Sequence, residues 1–510
     1  MARHWLAVDP DDDTRAELDR VLASDDAAAL ADRFGDRLHF GTAGLRGALG
    51  AGPNRMNRIV VRQAAAGLES TLPPGATVVI GFDARHKSDV FARDSAQIIA
   101  ARGGRAVLLP GPLPTPILAF ATRHLGADAG VMVTASHNPP GDNGYKVYLA
   151  DGAQLVPPHD VQIEAAIVAS GLPARALPPA SAGGDVVHYE RDIVGEYLDA
   201  VMPGARAEPE VAGLKVVYTP LHGVGRDVLL RALVRIGCSP MVVSSQGSPD
   251  PDFPTVAFPN PEEPGAMDAA LALARQLGAD VVLANDPDAD RLAVAVPSRG
   301  HWRQLTGDEA GALLAEHRLR TTSGADRLVV TTVVSSSLLG KIAATHGVRY
   351  AETLTGFKWV VRPAIDDPTS RFVFGYEEAL GYAVNDVVRD KDGITAAVEF
   401  LRLLAALRRE ERNVDAMLDR LAEEYGRHLT AQASMRFDGR GALERMTTYM
   451  AKLRAAPPAS IGRRAVVSVT DYLAPGTGLP PSDILRIALD DGSRVMLRPS
   501  GTEPKLKAYV

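Results

Sequence analysis

One six-residue stretch combines a hydroxyl, an imidazole and a turn directly after an apolar run. Residues 134–139 read Thr-Ala-Ser-His-Asn-Pro and follow a strand that we predict over residues 129–134. Open α/β sheets bind ligands in the loops at the ends of their strands. The Ser136 hydroxyl can accept and donate a phosphoryl group as a nucleophile. The same composition is also typical of a plain turn, in which Ser136 and Asn138 cap backbone groups.

A second stretch presents carboxylates at every second position. Residues 286–291 read Asp-Pro-Asp-Ala-Asp-Arg and follow a strand predicted over residues 280–284. Carboxylates with this spacing in an extended loop can converge on one hard cation. The stretch is not an EF-hand, because its sixth position is arginine and its twelfth is proline. Three carboxylates with room for a phosphoryl oxygen favour Mg²⁺, although an acidic surface turn has the same composition.

Two more loops offer groups that hold phosphate. Residues 498–505 read Arg-Pro-Ser-Gly-Thr-Glu-Pro-Lys, so they combine a guanidinium, two hydroxyls and glycine-exposed backbone. A hairpin exit with turn residues would have a similar composition. Residues 41–47 form a glycine-rich turn that presents Arg46. Their spacing is neither that of a Walker A loop nor that of a dinucleotide fingerprint.

A further loop is suited to hydroxyl groups. Residues 374–381 place Glu377 and Glu378 between glycines, and carboxylates accept hydrogen bonds from vicinal sugar hydroxyls. Two charged stretches lie near it in the chain, at residues 355–358 and 389–393. Either of these stretches could be ordinary solvated charge.

The elements that must position these loops are short apolar strands alternating with amphipathic helices. This alternation predicts an α/β fold, and three successive βα-rich blocks of similar length suggest a structural repeat. The last block differs, because it contains a hairpin with an Asp-Gly turn at residues 490–492 and reads as a smaller α+β domain. Candidate linkers lie at residues 203–210, 319–326 and 426–429. We therefore predict four domains, over residues 1–205, 206–320, 321–427 and 428–510.

Composition excludes several classes of protein. The 510 residues carry a net charge of -7 with no long basic run, so a nucleic-acid partner is not expected. The single cysteine, Cys238, forms neither an internal disulfide nor a cysteine metal site. We see no signal peptide and no apolar stretch of about 18 residues, so we expect no membrane partner and a cytoplasmic location.

Taken together and in this order, the motifs resemble the α-D-phosphohexomutase family, which includes phosphoglucomutases and phosphomannomutases. The resemblance extends from Gly41 to Lys507. It implies three similar mixed α/β domains and a smaller C-terminal α+β domain around a central active-site cleft. The loops at residues 354–358 and 375–379 resemble the branch that contains phosphoglucomutase-2 and phosphopentomutase-like enzymes. Ala379 stands where many members have serine, so the sugar is left open.

The resemblance also implies roles for individual residues. Ser136 would carry the catalytic phosphate and share Mg²⁺ with Asp286, Asp288 and Asp290. Active-site positive charge would come from Arg46, His137, Lys146 and Arg291. The remaining residues, which the resemblance assigns to substrate binding, are Gly356, Glu377, Glu378, Arg498, Ser500, Gly501, Thr502 and Lys505.

These assignments predict a mutase that interconverts glucose 1-phosphate and glucose 6-phosphate. Phosphoserine would give its phosphate to a sugar hydroxyl, and the bisphosphorylated sugar would turn in the cleft and return the other phosphate. Sugar 1,6-bisphosphate would then serve as activator and intermediate. Lys358 is the first choice for the general base and His137 the second.

Alternatives remain at this point. The same mechanism would serve a phosphomannomutase or a phosphopentomutase. A sugar-phosphate-binding regulator without turnover and a phosphatase are two further possibilities. A small phosphosugar is the expected partner in each case, and the chain is expected to be a monomer or a homodimer.

Overall fold

The computed structural model describes residues 1–41, 44–437, 439, 441–500 and 505–510. Within them the chain forms four main β-sheets, and each sheet takes its strands from one continuous part of the sequence. We refer to each sheet with its covering helices as the first, second, third or fourth domain. In the described part of the chain, no helix is both long and apolar enough to cross a membrane.

The first domain contains a six-stranded sheet. Its strands are β1 (Leu45–Ala48), β2 (Thr77–Phe82), β3 (Arg105–Pro112), β4 (Ala129–Val133), β5 (Asp142–Leu149) and β6 (Asp185–His188). Its helices are α1 (Ala2–Val8), α2 (Asp12–Ala23), α3 (Ala27–Phe34), α4 (Arg58–Ser70), α5 (Ser88–Ala101), α6 (Thr115–His124), α7 (His159–Ala169) and α8 (Ile193–Val201). The strand order is β1-β5-β4-β2-β3-β6, in which β6, β3, β2 and β4 run parallel and β5 is antiparallel to β4.

The second domain contains five strands. They are β7 (Val216–Thr219), β8 (Met241–Val242), β9 (Val281–Ala284), β10 (Ala293–Ser298) and β11 (His301–Gln304), in the order β11-β10-β9-β7-β8. Its helices are α9 (Pro209–Ala212), α10 (Gly225–Arg235) and α11 (Asp268–Leu277). Strand β8 has only two residues, and a 3-10 turn begins soon after it at Ser244.

The third domain contains four strands. They are β12 (Arg327–Thr332), β13 (Arg349–Thr353), β14 (Arg371–Glu377) and β15 (Gly381–Ala383), in the order β13-β12-β14-β15. Its helices are α12 (Gly307–Thr321), α13 (Leu338–Thr345), α14 (Phe357–Val360), α15 (Arg362–Asp366), α16 (Gly393–Arg409) and α17 (Val414–Tyr425). Helix α12 packs on β14, so we propose that this domain begins near residue 307 rather than at the predicted residue 321.

The fourth domain is an α+β unit, as the sequence predicts. Its strands are β16 (Gln432–Arg436), β17 (Ser460–Ile461), β18 (Arg464–Asp471), β19 (Leu485–Leu489), β20 (Arg494–Pro499) and β21 (Lys505–Tyr509), and its helix is α18 (Ala442–Ala455). All neighbouring strands are antiparallel, in the order β16-β21-β20-β19-β18-β17. Strands β19 and β20 form the predicted hairpin.

The first three domains share one local topology, which confirms the predicted structural repeat. In each of them a parallel strand, β4, β9 or β14, is followed by an antiparallel neighbour, β5, β10 or β15. The intervening loops cover residues 134–141, 285–292 and 378–380. Two of them carry the serine and aspartate motifs, and the third follows Glu377 directly. The repeat therefore places a loop with a candidate functional residue at the same point of each of the three sheets.

A single hydrophobic core joins these three domains. It runs from Val79 and Val107 in the first domain through Val217 in the second to Phe374 and Tyr425 in the third, and all five are buried. Burial of apolar area on this scale is the main force that holds the sheets together. The loops that follow β4, β9 and β14 therefore meet over a shared, closely packed base.

Candidate active site

Ser136 lies directly after strand β4 in a strained turn. Its φ of 54° is in the left-handed region, which non-glycine residues seldom adopt unless their surroundings impose it. The hydroxyl of Thr134 accepts a hydrogen bond from the Ser136 N–H at 2.8 Å. The Ser136 Oγ donates to Asp286 Oδ2 at 2.7 Å and lies 3.1 Å from His137 Nδ1. This turn thus aims the hydroxyl at a residue that is 150 positions away in the chain.

The three aspartates of the metal motif converge as the sequence predicts. Asp286, Asp288 and Asp290 are buried, and each offers an oxygen within 4.8 Å of the others. A tight turn at Ala289, with a φ of 53°, brings the side chains to one side of the loop. The backbone N–H of Arg291 donates to Asp286 Oδ1 at 3.0 Å and closes this turn.

Lysine side chains bind one carboxylate oxygen of Asp288 and one of Asp290, and the other oxygen of each has no partner among the described residues. Lys146 Nζ lies 2.8 Å from Asp288 Oδ2 and 3.0 Å from Asp290 Oδ2. Thr115 Oγ1 also donates to Asp288 Oδ2 at 2.6 Å, and Lys391 Nζ lies 3.2 Å from Asp290 Oδ2. Both Oδ1 atoms are buried and have no hydrogen-bond partner among the described residues. Bare, buried carboxylate oxygens are costly, and a hard divalent cation would satisfy them.

The charges of this cluster are strongly coupled. Burial, together with repulsion from Asp288 and Asp290, raises the pKa of Asp286 well above its usual range. Burial alone would also raise the pKa of Asp288, but the attraction of Lys146 and the hydrogen bonds of Asp288 with Asp286, Lys146 and Thr115 together outweigh it and hold that pKa well below its usual range. A divalent cation would relieve the repulsion among the three carboxylates, so the donor set fits such an ion.

The loop that carries the aspartates is supported from behind at close range. A Cβ on Gly223 would lie 2.3 Å from the Pro287 Cα, and a Cβ on Gly393 would lie 2.3 Å from the Arg291 carbonyl oxygen. Only glycine permits approaches this close. The Val224 N–H donates to the Pro287 carbonyl at 2.8 Å. The second and third domains therefore fix the loop in place through backbone contacts.

Glu377 and Glu378 lie at the start of a loop that is joined to the aspartate loop, next to Arg291. Leu292 N–H donates to the Leu380 carbonyl at 3.0 Å, which joins the two loops directly. Glu377 Oε1 accepts a hydrogen bond of 2.7 Å from Gly356 N–H, so the structure brings these two predicted residues together. Burial raises the pKa of Glu377 and raises that of Glu378 to about 7.

Basic side chains lie at the end of β20 and the start of β21, on either side of the predicted phosphate loop. Arg498 lies opposite Lys507 in the pairing of β20 with β21, and the Ser500 N–H donates to the Lys505 carbonyl at 2.7 Å. Burial, followed by repulsion from Arg498 and Lys505, lowers the pKa of Lys507. Two predicted residues of this loop, Gly501 and Thr502, lie outside the described residues.

The remaining predicted residues divide into two groups. Arg46 Nη1 lies 3.4 Å from Asn138 Oδ1, which places this guanidinium on the serine loop. Arg291 forms an ion pair of 3.2 Å with Glu262. Lys358, by contrast, has no hydrogen bond or ion pair with a described residue. Burial lowers the pKa of Lys358, but the structure does not bring its amine into contact with Ser136 or the aspartates.

Lys391 is the main functional candidate that sequence reasoning missed. Residues 389–393 could have been solvated charge, but that interpretation is wrong for this lysine. Its side chain is 12% exposed and pairs with Asp290. Asp390, the preceding residue, accepts hydrogen bonds from Tyr148 Oη at 2.6 Å and from Gln154 Nε2 at 2.7 Å. The only local signal is that Asp392 caps the apolar helix α16 and so fixes where Lys391 must lie.

Comparison with protein families agrees with this arrangement. Four models of the phosphoglucomutase/phosphomannomutase family match the chain: α/β/α domain I over residues 37–172, α/β/α domain II over 195–300, α/β/α domain III over 306–425 and the C-terminal domain over 447–510.

Individual proteins give the same result. A protein of Haemophilus influenzae named "probable phosphomannomutase" is 42% identical over 466 residues, which cover 89% of this chain and 92% of that protein. A protein of Schizosaccharomyces pombe named "probable phosphoribomutase" is 37% identical and is covered over 93% of its length by the whole of this chain. A crystal structure of a phosphoglucomutase/phosphomannomutase family protein from Burkholderia thailandensis shares the fold, with a TM-score of 0.72, 20% identity and 92% coverage of both chains.

Family models over most of the sequence, two relatives of matching length and the shared fold lead to the same conclusion. The protein belongs to the phosphoglucomutase/phosphomannomutase family and is an intramolecular phosphotransferase.

Proposed function

We propose that this enzyme moves a phosphoryl group between two hydroxyls of one sugar through a phosphorylated Ser136. The preferred substrate pair in this proposal is glucose 1-phosphate and glucose 6-phosphate. The observation that carries the proposal is the 2.7 Å hydrogen bond between Ser136 Oγ and Asp286 Oδ2, at the edge of a buried three-carboxylate cluster. A nucleophile beside a cation site is the arrangement that phosphoryl transfer requires.

Mg²⁺ is the cation that we propose for Asp286, Asp288 and Asp290, with a phosphoserine oxygen as a further ligand. When bound, Mg²⁺ would neutralise charge on the phosphoryl oxygens. Lys146 and Lys391 bind the Oδ2 atoms of Asp288 and Asp290. The Oδ1 atoms of both residues would therefore be available to a bound cation.

Transfer requires one bond exchange and a proton transfer at each of two oxygens. The P–O bond to Ser136 breaks as a P–O bond to the sugar hydroxyl forms. The sugar hydroxyl proton leaves to a base, and the freed Ser136 oxygen takes up a proton. His137 Nδ1 is 3.1 Å from the Ser136 oxygen, whereas Lys358 has no contact there. In our proposal His137 therefore exchanges the proton of the Ser136 oxygen, a role for which geometry favours it over Lys358. The base that takes the proton of the sugar hydroxyl stays as the sequence predicts, with Lys358 first and His137 second.

The two ends of the sugar phosphate would be held by different domains. Glu377 and Glu378 accept hydrogen bonds from sugar hydroxyls, and Arg498, Ser500 and Lys505 hold the phosphate that does not react. Arg291 and Arg46 supply positive charge near the reacting phosphate. A sugar 1,6-bisphosphate made in the first transfer can turn over and present its other phosphate to Ser136, and added bisphosphate would activate the dephosphorylated enzyme.

A pentose phosphate is the second candidate substrate. The relative from Schizosaccharomyces pombe, which this chain matches over its whole length, is named for ribose. Ala379 leaves one hydroxyl fewer in the sugar loop than a serine would. Mannose phosphates are a third possibility, because the relative from Haemophilus influenzae is named for mannose.

A coupled assay with Mg²⁺ and a trace of the matching bisphosphate tests these proposals. Glucose, mannose and ribose 1-phosphates are supplied side by side, and the mass of the enzyme is measured after each incubation. We expect turnover and a mass increase of one phosphate, which is lost in Ser136→Ala. Fastest turnover of ribose 1-phosphate would select the pentose candidate. Binding without turnover of any sugar would indicate a regulator, and phosphate release without isomerisation would indicate a phosphatase.

A further inference from the structure

One buried guanidinium holds the whole serine loop. Arg85 Nη2 donates to the carbonyl oxygens of Ser136 and, at 2.6 Å, of Asn138. Arg85 Nη1 donates to the carbonyls of Pro139 at 2.8 Å and Asp142 at 3.2 Å. Four carbonyl groups of a loop with little regular secondary structure thus converge on a side chain that is 4% exposed. The fixed fork of a guanidinium is suited to such a set of acceptors, and an ammonium group is not.

Arg85 is itself held on three sides. Its backbone N–H donates to Asp83 Oδ1 at 3.0 Å, and its Nε lies 3.5 Å from Asp83 Oδ2. Ser88 Oγ donates to the same carboxylate at 2.6 Å. The ring of Phe253, from the second domain, lies 4.9 Å from the guanidinium carbon. These contacts fix the position of the guanidinium independently of its hydrogen bonds to the serine loop.

The loop needs an external support because its conformation is strained. Ser136 has a φ of 54°, and a non-glycine residue keeps this conformation only where neighbouring contacts compensate for its strain. A relaxed loop would rotate the Ser136 carbonyl and swing its Oγ away from Asp286. A shift of about 1 Å in a reacting group is sufficient to slow a reaction by about 10²-fold.

We propose that Arg85 is a positioning residue for phosphoryl transfer, which holds Ser136 in its strained conformation by binding four carbonyls of residues 136–142. This inference rests on the proposed function of Ser136. Arg85 acts through the loop, because its two terminal nitrogens are occupied by backbone carbonyls. The competing explanation is that Arg85 contributes only its positive charge to the site.

Two substitutions separate these explanations. Arg85→Lys keeps the positive charge but lacks the fork, and Arg85→Met removes both. We expect kcat to fall about 100-fold in both variants, with KM within about threefold of wild type, because the spectator phosphate is bound elsewhere. Wild-type kcat in Arg85→Lys would overturn the proposal in favour of a simple charge effect.

Arg62 provides a matched control in the same domain. It is also a buried arginine, and it binds Asp94 and the carbonyls of Ala174 and Arg175. Arg62→Lys should lower the melting temperature but leave kcat of the folded enzyme unchanged. An equal fall of kcat in Arg62→Lys would mean that the Arg85 effect is only a loss of stability, and the proposal would be wrong.

Hydrogen exchange tests the clamp without any reliance on turnover. Amides of residues 134–143 should exchange at least about tenfold faster in Arg85→Lys, while those of β2 and β3 stay as in wild type. Unchanged exchange in this segment would contradict the clamp. Accelerated exchange in an enzyme without mutase activity would instead retain the clamp and reject the proposed function.

Phe253→Leu gives a milder test if both Arg85 variants fail to fold. It removes the aromatic contact of the guanidinium and keeps every hydrogen bond to the loop. We expect kcat to fall about three- to tenfold with KM unchanged, since the aromatic ring is only one of several supports of the guanidinium. No change in kcat or in exchange of residues 134–143 would count against the proposal.

Discussion

The first three domains and the fourth differ in how they are joined to the rest of the molecule. One core of buried apolar residues runs without interruption through the first three. The fourth has small separate clusters, and one of these reaches the third domain, where Val334 and Leu354 meet Met496 and Tyr509. All five residues of β16 are exposed.

This difference separates two tasks. Groups that would do the chemistry stand on a rigid base, because phosphoryl transfer needs fixed positions. Groups that would hold the spectator phosphate stand on a domain with a small interface, for which relative movement is the default expectation. The basic residues of the phosphate loop must accept either end of a sugar bisphosphate, and movement of the fourth domain would allow this. The following substitutions are ordered by the size of the effect expected.

Ser136→Ala should abolish the chemistry while leaving the fourth domain's task intact. We expect kcat to fall by roughly 10⁴-fold or more, because no other group can take up the phosphate. Sugar phosphate binding, measured by calorimetry, should stay within about threefold of wild type. Ser95→Ala is a matched control, since Ser95 is buried and donates to the Phe91 carbonyl of its own helix. Normal turnover in Ser136→Ala would rule out the phosphoserine route.

Asp288→Asn should damage the cation site on the rigid base. We expect a fall of about 10²- to 10³-fold in activity and weaker Mn²⁺ binding, measured by electron paramagnetic resonance. Asp94→Asn is the control, because Asp94 is an equally buried carboxylate that pairs with Arg58 and Arg62. It should lower stability without changing the affinity for Mn²⁺. Equal Mn²⁺ affinity in all three proteins would place the cation elsewhere.

Arg498→Ala should affect the fourth domain's task alone. We expect KM to rise about 10- to 100-fold with a smaller change in kcat, because one charge-assisted hydrogen bond to the spectator phosphate is lost. Arg486→Ala removes an arginine from the neighbouring strand β19 and should leave KM unchanged. If kcat falls instead and KM stays constant, the division of tasks between the domains is wrong.

Glu378 should give the smallest effect, as a dependence of stability on pH. Burial raises its pKa to about 7 in the folded protein, with added repulsion from Glu377 and Asp308. Lys507 and Tyr509 of the fourth domain also lie close enough to interact with its charge. The unfolded chain releases this proton near its ordinary pKa of about 4.3. The folded state then retains a proton that the unfolded state has lost, so stability falls as the pH rises between these two values.

Glu378→Gln should remove this part of the pH dependence. Urea denaturation at several values from pH 5 to pH 8 gives the free energy of unfolding of each protein. We expect the variant to gain stability relative to wild type as the pH rises to about 7 and no further change above it. A constant difference between the two proteins across this range would contradict the raised pKa.

The sequence predicts the fold and the two central motifs because each depends on local patterns. Ser136 and the aspartate triplet follow buried strands, and the sheet topology carries both to the same edge. Helix α17 (Val414–Tyr425) likewise follows from a local pattern, because Asn413 caps an amphipathic run of residues.

Contacts between distant parts of the chain could not be predicted in this way. Thr115 binds Asp288 across 173 positions, and no local feature distinguishes it from any other threonine at the start of a helix. Lys391 is buried beside Asp290 of the second domain, about 100 positions earlier in the chain, whereas its charged neighbours in sequence made it resemble a surface lysine. The position of the Lys358 amine, which does not contact Ser136 or the aspartates, could not be predicted for the same reason.

The small interface of the fourth domain has a consequence for denaturation. A three-domain body with one continuous core should melt as one cooperative unit, while the last domain can come away at lower temperature. Brief proteolysis during mild heating would then yield a truncated protein that still folds around the aspartates. This truncated protein should keep its affinity for divalent ions and bind sugar phosphates more weakly.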